Sequence, residues 1–175
     1  MLRGHYRLTS GRHSDVYIQK ARVLERPQAT IALAREIASW YPRLDVVVAP
    51  ALGAIALGFA VALQGAARSI FAEREEGRMR LRRGFSIDPG ERALVVEDVI
   101  TTGGSAREVY DLVREEAGAE AVGVAALIDR STEPLAFPLR AVLRVDAPSW
   151  DAERCPLCAD AVPIDSPGSR YVRRA

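Results

Sequence analysis

Residues 93–105, Ala-Leu-Val-Val-Glu-Asp-Val-Ile-Thr-Thr-Gly-Gly-Ser, bring three patterns together in one short stretch. Residues 93–96 are an unbroken apolar run, as in a strand buried on both faces of a parallel sheet. That strand carries Glu97 and Asp98 to its C-terminal end, where open α/β sheets bind their ligands. A turn of hydroxyl residues and glycines, 101–105, follows and runs into a helical stretch ending near Ala117. Gly103 and Gly104 let the backbone turn tightly and approach a ligand, while Thr101, Thr102 and Ser105 add hydroxyl donors. With the N–H groups of the helix's first turn they form a cradle for a phosphate monoester. Two carboxylates beside such a cradle would repel a bare phosphate. They fit a ligand that also carries vicinal hydroxyls or a metal, and ribose 5-phosphate is such a ligand.

The rest of the chain repeats the alternation of strands and helices. Residues 6–8 and 16–18 read as short strands around a polar turn, and Pro27 opens a helix to about Trp40. Residues 46–48 read as a buried strand, residues 50–55 as a turn into a helix ending near Gln64, and residues 69–72 as another strand. Residues 73–90 are highly charged and end in Asp-Pro-Gly, a long loop or hairpin. Residues 121–128 and 141–145 are strand-like. The order predicts an α/β fold, a parallel sheet flanked by helices on both faces, with an irregular C-terminal tail over the last 25 residues. At 175 residues the chain reads as one domain with a core large enough to need no disulfide.

A formal net charge of +1 gives no reason to expect nucleic-acid binding by bulk charge. The most apolar stretch, residues 49–67, is interrupted by Pro50, Gly53, Gly58, Gln64 and Gly65, too polar to span a membrane. The first 19 residues carry charges throughout and no apolar middle, unlike a signal peptide. A soluble, cytoplasmic protein is expected. Lys20 is the only lysine among 24 basic residues, so any role for a basic side chain falls to arginine.

The 93–105 segment resembles the phosphoribosyl-diphosphate (PRPP) binding motif of type I phosphoribosyltransferases. That resemblance implies PRPP contacts from Glu97, Asp98, Val99, Ile100, Thr101, Thr102, Gly103, Gly104 and Ser105. Residues 8–19, Leu-Thr-Ser-Gly-Arg-His-Ser-Asp-Val-Tyr-Ile-Gln, resemble the start of orotate phosphoribosyltransferases, and the match implies a small N-terminal hood over about residues 1–25 of a 1–150 domain. The tail, 151–175, is expected to pack on the same domain. The resemblance places Tyr17 and Ile18 beside the pyrimidine and Thr101 at the same site. Arg130, in Ile-Asp-Arg at a strand end, matches the residue that holds the orotate carboxylate, which suits a guanidinium fork. Residues 49–55 are similar to the family's pyrophosphate loop, with Leu52 and Gly53 facing a diphosphate.

The implied reaction transfers ribose 5-phosphate from PRPP to orotate, giving orotidine 5′-monophosphate and diphosphate in de novo UMP synthesis. It implies Mg²⁺, bridging diphosphate oxygens and ribose hydroxyls mostly through water and substrate, so no protein metal ligand is assigned. It also implies a homodimer. Glu97 and Asp98 are the catalytic carboxylates, holding the ribose hydroxyls. The chain departs from the family where lysines are usual, at Thr9, at Gly53 and in the mobile loop 73–83. That loop offers Arg74, Arg78, Arg80, Arg82 and Arg83, and the first three are assigned to the departing diphosphate. A transferase for a purine base, or a PRPP-sensing regulator without turnover, shares the same PRPP motif.

Two further features stand apart from this chemistry. His13 lies in the base-binding turn and reads as an exposed turn histidine, while His5 carries no signal. Cys155-Pro-Leu-Cys158 has the spacing of half a zinc site, but no second pair exists and neither histidine is near in sequence. Two reduced structural cysteines are expected. A four-cysteine zinc site across a dimer and a redox pair are the other readings.

Overall fold

In the computed structural model, which describes residues 1–8, 10–116 and 118–167, Val46–Pro50 (β3) is buried at all five positions. A strand with no exposed face must be paired on both edges and covered on both sides. Strand Arg92–Ile100 (β6) lies parallel to β3 on one edge and to Glu120–Asp129 (β7) on the other. Arg68–Glu75 (β4) and Leu139–Arg144 (β8) extend the parallel array outward. The charged segment resolves as a hairpin: Arg78–Leu81 (β5) returns antiparallel to β4. Its two-residue turn, Glu76 and Gly77, has positive φ at both positions (48° and 83°), the geometry that matches strand twist. The sheet order is β5-β4-β3-β6-β7-β8, mixed but mostly parallel.

Helices cover both faces. Pro27–Ser39 (α2, after the short helix α1, Ala21–Leu24) opens with proline at its start and packs against Ile55–Gly65 (α3). Helix α3 lies on the face of Val47 and Ala49: a Cβ added at Gly58 would stand 2.9 Å from Ala49 Cβ. Helix Gly104–Asp111 (α4) covers the opposite face, where Ala106, Val109 and Tyr110 pack with Val46, Val48, Ala93, Val95, Val124 and Ala126. The helix expected to reach Ala117 instead widens into a π-helical turn at Leu112–Glu116, and Ala117 lies outside the described residues.

These elements belong to one compact unit, Arg22–Val145. The other unit joins Met1–Ala21 to the described residues from Asp146 onward. There Leu2–Arg7 (β1), His13–Tyr17 (β2) and Ser149–Trp150 (β9) form a three-stranded antiparallel sheet. The tail is more ordered than its composition suggests. Strand β9 pairs with β2, Ala152–Arg154 forms a 3-10 turn, and Pro156–Ala159 forms a short helix, α5. Two- and four-residue elements leave no periodic signal in a sequence; only their partners define them. Among the described residues no helix is long and apolar enough to cross a membrane.

Candidate active site

The carboxylates lie within β6, which runs past the expected strand end to Ile100. Because successive strand residues face opposite sides, Glu97 and Asp98 are split between the two faces. Glu97 is half-buried and lines a small pocket, its Oε1 accepting the Asp98 N–H at 3.0 Å. Asp98 is buried, with 2% exposure, and does not line that pocket. The remaining wall is the continuous run 99–106, around a cavity of about 90 Å³. Ile100 contributes backbone only, since its side chain is in the core under α4.

Gly103 sits at the N-cap of α4 with φ 75°. Its bare Cα is also a packing requirement: a Cβ there would lie 2.9 Å from Leu135 Cδ2 and 3.1 Å from Phe137 Cζ. The left-handed residue turns the chain so that Gly104 and Ser105 begin the helix, whose first N–H groups have no partner within the helix. Hydroxyls of Thr101, Thr102 and Ser105, helix N–H groups and one carboxylate therefore converge on a single cavity. Such a site can hold a phosphate and a polyhydroxyl group side by side.

Arg130 follows β7 directly, and its N–H donates to Ile100 O at 2.8 Å, which ties it to the entrance of the cradle turn. The guanidinium belongs to a buried residue, 8% exposed, in contrast to the solvated arginine common at strand ends. Its neighbour Asp129 is held by the Ser131 N–H at 2.8 Å and by Arg144 Nη1 at 3.1 Å.

The loop arginines fall into two groups. Arg74 is committed: its guanidinium forks onto both Glu108 oxygens of α4 at 3.1 and 2.8 Å, and Glu108 also accepts the Met79 N–H. Arg83 forks onto Glu73, and Arg82 pairs with Glu75 at 3.1 Å. Arg80 reaches Glu75 only at 3.9 Å, and Arg78 forms no ion pair among the described residues. Both are exposed and alternate with buried Met79, so they share one face of β5. Leu52 and Gly53 are exposed and do not line the pocket; the peptide joining Ala51 to Leu52 is cis.

Tyr17 and Ile18 are half-buried in the three-stranded unit, where the Tyr17 ring packs on Tyr6 at 5.5 Å between centroids. Arg12 is bound to Ser149 Oγ, Ser149 O and Asp151 Oδ1, joining the hairpin turn to the tail. Thr9 lies outside the described residues. His13 is buried rather than exposed. Burial, then His5 and Arg7, push its imidazole pKa below the ordinary value. His5 is buried too, and the two histidines meet Cys155 and Cys158, contrary to the expectation from sequence distance. Some 150 residues separate the two pairs, so no local spacing could have revealed the cluster.

A strand–carboxylate–hydroxyl cradle on a mostly parallel sheet is the arrangement of phosphoribosyltransferases, and the chain matches the phosphoribosyl transferase domain over residues 22–138. It is 47% identical over 177 residues to the orotate phosphoribosyltransferase of Caldicellulosiruptor saccharolyticus, covering 99% of this chain and 92% of that one. The Thermotoga petrophila enzyme of the same name is also 47% identical, with 99% and 94% covered. The solved orotate phosphoribosyltransferase of Aeropyrum pernix superposes with a TM-score of 0.66 at 26% identity, covering 82% of this chain and 87% of that one. The chain belongs to the orotate phosphoribosyltransferase family.

Gly103 and Gly104 should respond differently to the same substitution. Gly103→Ala meets both a positive φ and two side chains, and should destabilise the chain by about 2–4 kcal/mol. Gly104→Ala meets only Thr102 Oγ1 at 3.8 Å and should cost less than about 1 kcal/mol. Urea unfolding of the two variants checks the contrast.

Proposed function

We infer that the chain transfers ribose 5-phosphate from PRPP to N1 of orotate, releasing diphosphate. The cradle at the end of β6, with buried Arg130 tied to its first turn, is the observation that carries this reading. In a chain nearly half identical to enzymes named for this reaction, the substrate follows from the relatives and the chemistry from the site.

The 5′-phosphate occupies the cradle of residues 101–105, where helix N–H groups and hydroxyls neutralise it. Glu97 receives the ribose hydroxyls from the pocket wall. Arg130 holds the orotate carboxylate through two parallel hydrogen bonds, which orients N1 toward the anomeric carbon. The bond to diphosphate lengthens as positive charge develops on the ribose ring, so the protein's work is positioning and electrostatic stabilisation. Arg78 and Arg80 are suited to meet the leaving diphosphate, because their guanidinium groups are the least committed of the loop. Arg74 instead braces the hairpin against α4. Closure of this loop would exclude water from the reactive sugar.

The donor set also fits Mg²⁺. One carboxylate, Glu97, lines the pocket, as suits an ion that keeps most of its ligands from phosphate oxygens and water. When bound, the ion supplies positive charge to the diphosphate.

A homodimer is part of the proposal. Helix α3 carries no charged residue, yet Phe59 and Leu63, one turn apart, are 62% and 60% exposed, and Leu52 before the helix is 80% exposed. A helix apolar on both its faces needs a second partner, and a second copy of the chain is the one we assign. The cytoplasm is the assigned compartment, consistent with two cysteines that are free rather than bridged.

Loss of orotate's near-ultraviolet absorbance should require PRPP and Mg²⁺ together. Arg130→Ala should lower kcat/KM for orotate by about a hundredfold. No loss with orotate, but consumption of adenine, guanine or xanthine, would reassign the base. PRPP binding without turnover on any base would make the chain a sensor.

Steady-state kinetics at varied PRPP should show Arg78→Ala and Arg80→Ala each reducing kcat/KM by roughly tenfold. An unchanged value in both would remove these two residues from diphosphate binding. Sedimentation should give about twice the 19.1 kDa chain mass, shifting toward the monomer in Phe59→Asp.

A further inference from the structure

His5, His13, Cys155 and Cys158 bring one donor atom each to within 4.8 Å of one another, in the unit that joins the two chain ends. Nothing in the transfer reaction uses them. Nε2 of His5 stands 3.1 Å from Nδ1 of His13, 3.5 Å from Cys155 Sγ and 3.7 Å from Cys158 Sγ; Nδ1 of His13 stands 3.3 Å from Cys158 Sγ. A tetrahedron with metal–nitrogen bonds near 2.05 Å and metal–sulfur bonds near 2.3 Å has edges of about 3.3 Å between nitrogens and about 3.6 Å between nitrogen and sulfur. The four observed separations lie close to those edges.

The surroundings are built for ligation as well. His5 Nδ1 donates to Val162 O at 2.8 Å, and a carbonyl can only accept, so the proton sits on Nδ1 and the Nε2 lone pair faces the cluster. A backbone carbonyl on the outer nitrogen is the usual way to fix a metal-bound imidazole. The pairing register of β1 and β2 slips between Arg3 and Tyr6, and His5 lies in that irregular stretch, where a bulge re-aims side chains. Cys155 O accepts the N–H groups of Cys158 and Ala159, a tight turn that brings both sulfurs to one side.

We propose that this unit binds one zinc ion through His5 Nε2, His13 Nδ1, Cys155 Sγ and Cys158 Sγ, as a structural site within a single chain. Two sulfur and two nitrogen donors in tetrahedral array select zinc over harder ions. Binding displaces one proton from each thiol, and a divalent ion with two thiolates and two neutral imidazoles carries no net charge. All four positions are filled by protein, so the ion has no open site for catalysis. Its role follows from the unit's small core: the buried apolar residues among those described are Tyr6, Leu8, Val16, Ala147 and Cys155. So few cannot hold two chain ends together by burial alone.

The full chain, purified without a metal-binding tag from zinc-supplemented cells, should contain about one zinc per chain by elemental analysis. Its only two thiols should resist a thiol reagent until a chelator is added, and chelation should lower the thermal midpoint. Cys158→Ser, at the exposed ligand position, should lose the metal. Cobalt added to the chelated wild-type chain should give the intense visible bands of a tetrahedral thiolate site, a readout that needs no variant to fold. Two thiols that react at once in a zinc-free chain would overturn the site, as would a Cys155–Cys158 disulfide or zinc retained in Cys158→Ser. None of these readings depends on orotate turnover, so failure of one proposal leaves the other standing.

Discussion

Strand β6 must be buried along most of its length and open at its end, and the unit Arg22–Val145 is organised around that demand. Residues 93–96 have no exposure at all, hydrogen-bonded to β3 and β7 on their edges and covered by helices above and below. Leu94, Val95 and Val96 each contribute about 1.5–3 kcal/mol by leaving water, and Ala93 less, which fixes the strand's register. Register in turn fixes the chemistry: Glu97 reaches the pocket and Asp98 the interior only because the strand keeps its two-residue alternation to Ile100. The same burial anchors α4, whose N-terminus supplies the cradle. A change in core packing under α4 therefore moves the phosphate site directly, without any residue of the site being touched.

The near-absence of lysine shapes the electrostatics. Arginine's planar fork pairs with carboxylates through two nitrogens in Arg74 with Glu108 and Arg83 with Glu73, while in Arg68 with Glu91 and Arg92 with Glu120 a single Nη donates to both carboxylate oxygens. Exposed pairs of this kind each add little stability, but they decide which guanidinium groups are left for a ligand. In the hairpin, Glu73, Glu75 and Glu108 occupy Arg83, Arg82 and Arg74, leaving one face of β5 to Arg78 and Arg80. Glu73 and Glu75 of the loop and Glu108 of α4 thus sort its arginines into braces and candidates for binding.

Much of this was legible in the sequence because it is local. The apolar run, the adjacent carboxylates and the glycine turn sit within a few residues of one another, and the structure gathers 97 and 99–106 into one pocket. The helices at 27–39 and 55–65 declared themselves by proline, periodicity and length. Arg130 was legible only through a resemblance; its burial and its backbone bond to Ile100 are facts of strand adjacency between β6 and β7. The division of the arginines was not legible, since it depends on Glu108 from a different element. Least legible was the tail, whose short elements exist because β2 and β1 pair with them.

The two units are held by different physics. Arg22–Val145 has a continuous hydrophobic core, and its hydrogen bonds follow from that burial. The unit of the chain ends relies on directional bonds. Strand β9 pairs with β2; Asp165 exchanges backbone bonds with β1, its carbonyl accepting the Arg7 N–H at 2.9 Å and its N–H donating to His5 O at 2.8 Å; and Arg12 forks onto Ser149 and Asp151. Joining two stretches more than a hundred residues apart closes a long loop, whose entropy cost grows only slowly with length but must be met by few contacts. Directional bonds meet it poorly when each is exchanged for a bond to water and nets about 1 kcal/mol. Four soft donors around one point are a different kind of contact, because metal ligation has no equivalent in the unfolded chain. The cluster of His5, His13, Cys155 and Cys158 stands where hydrophobic burial runs out, and that placement ties its chemistry to the fold.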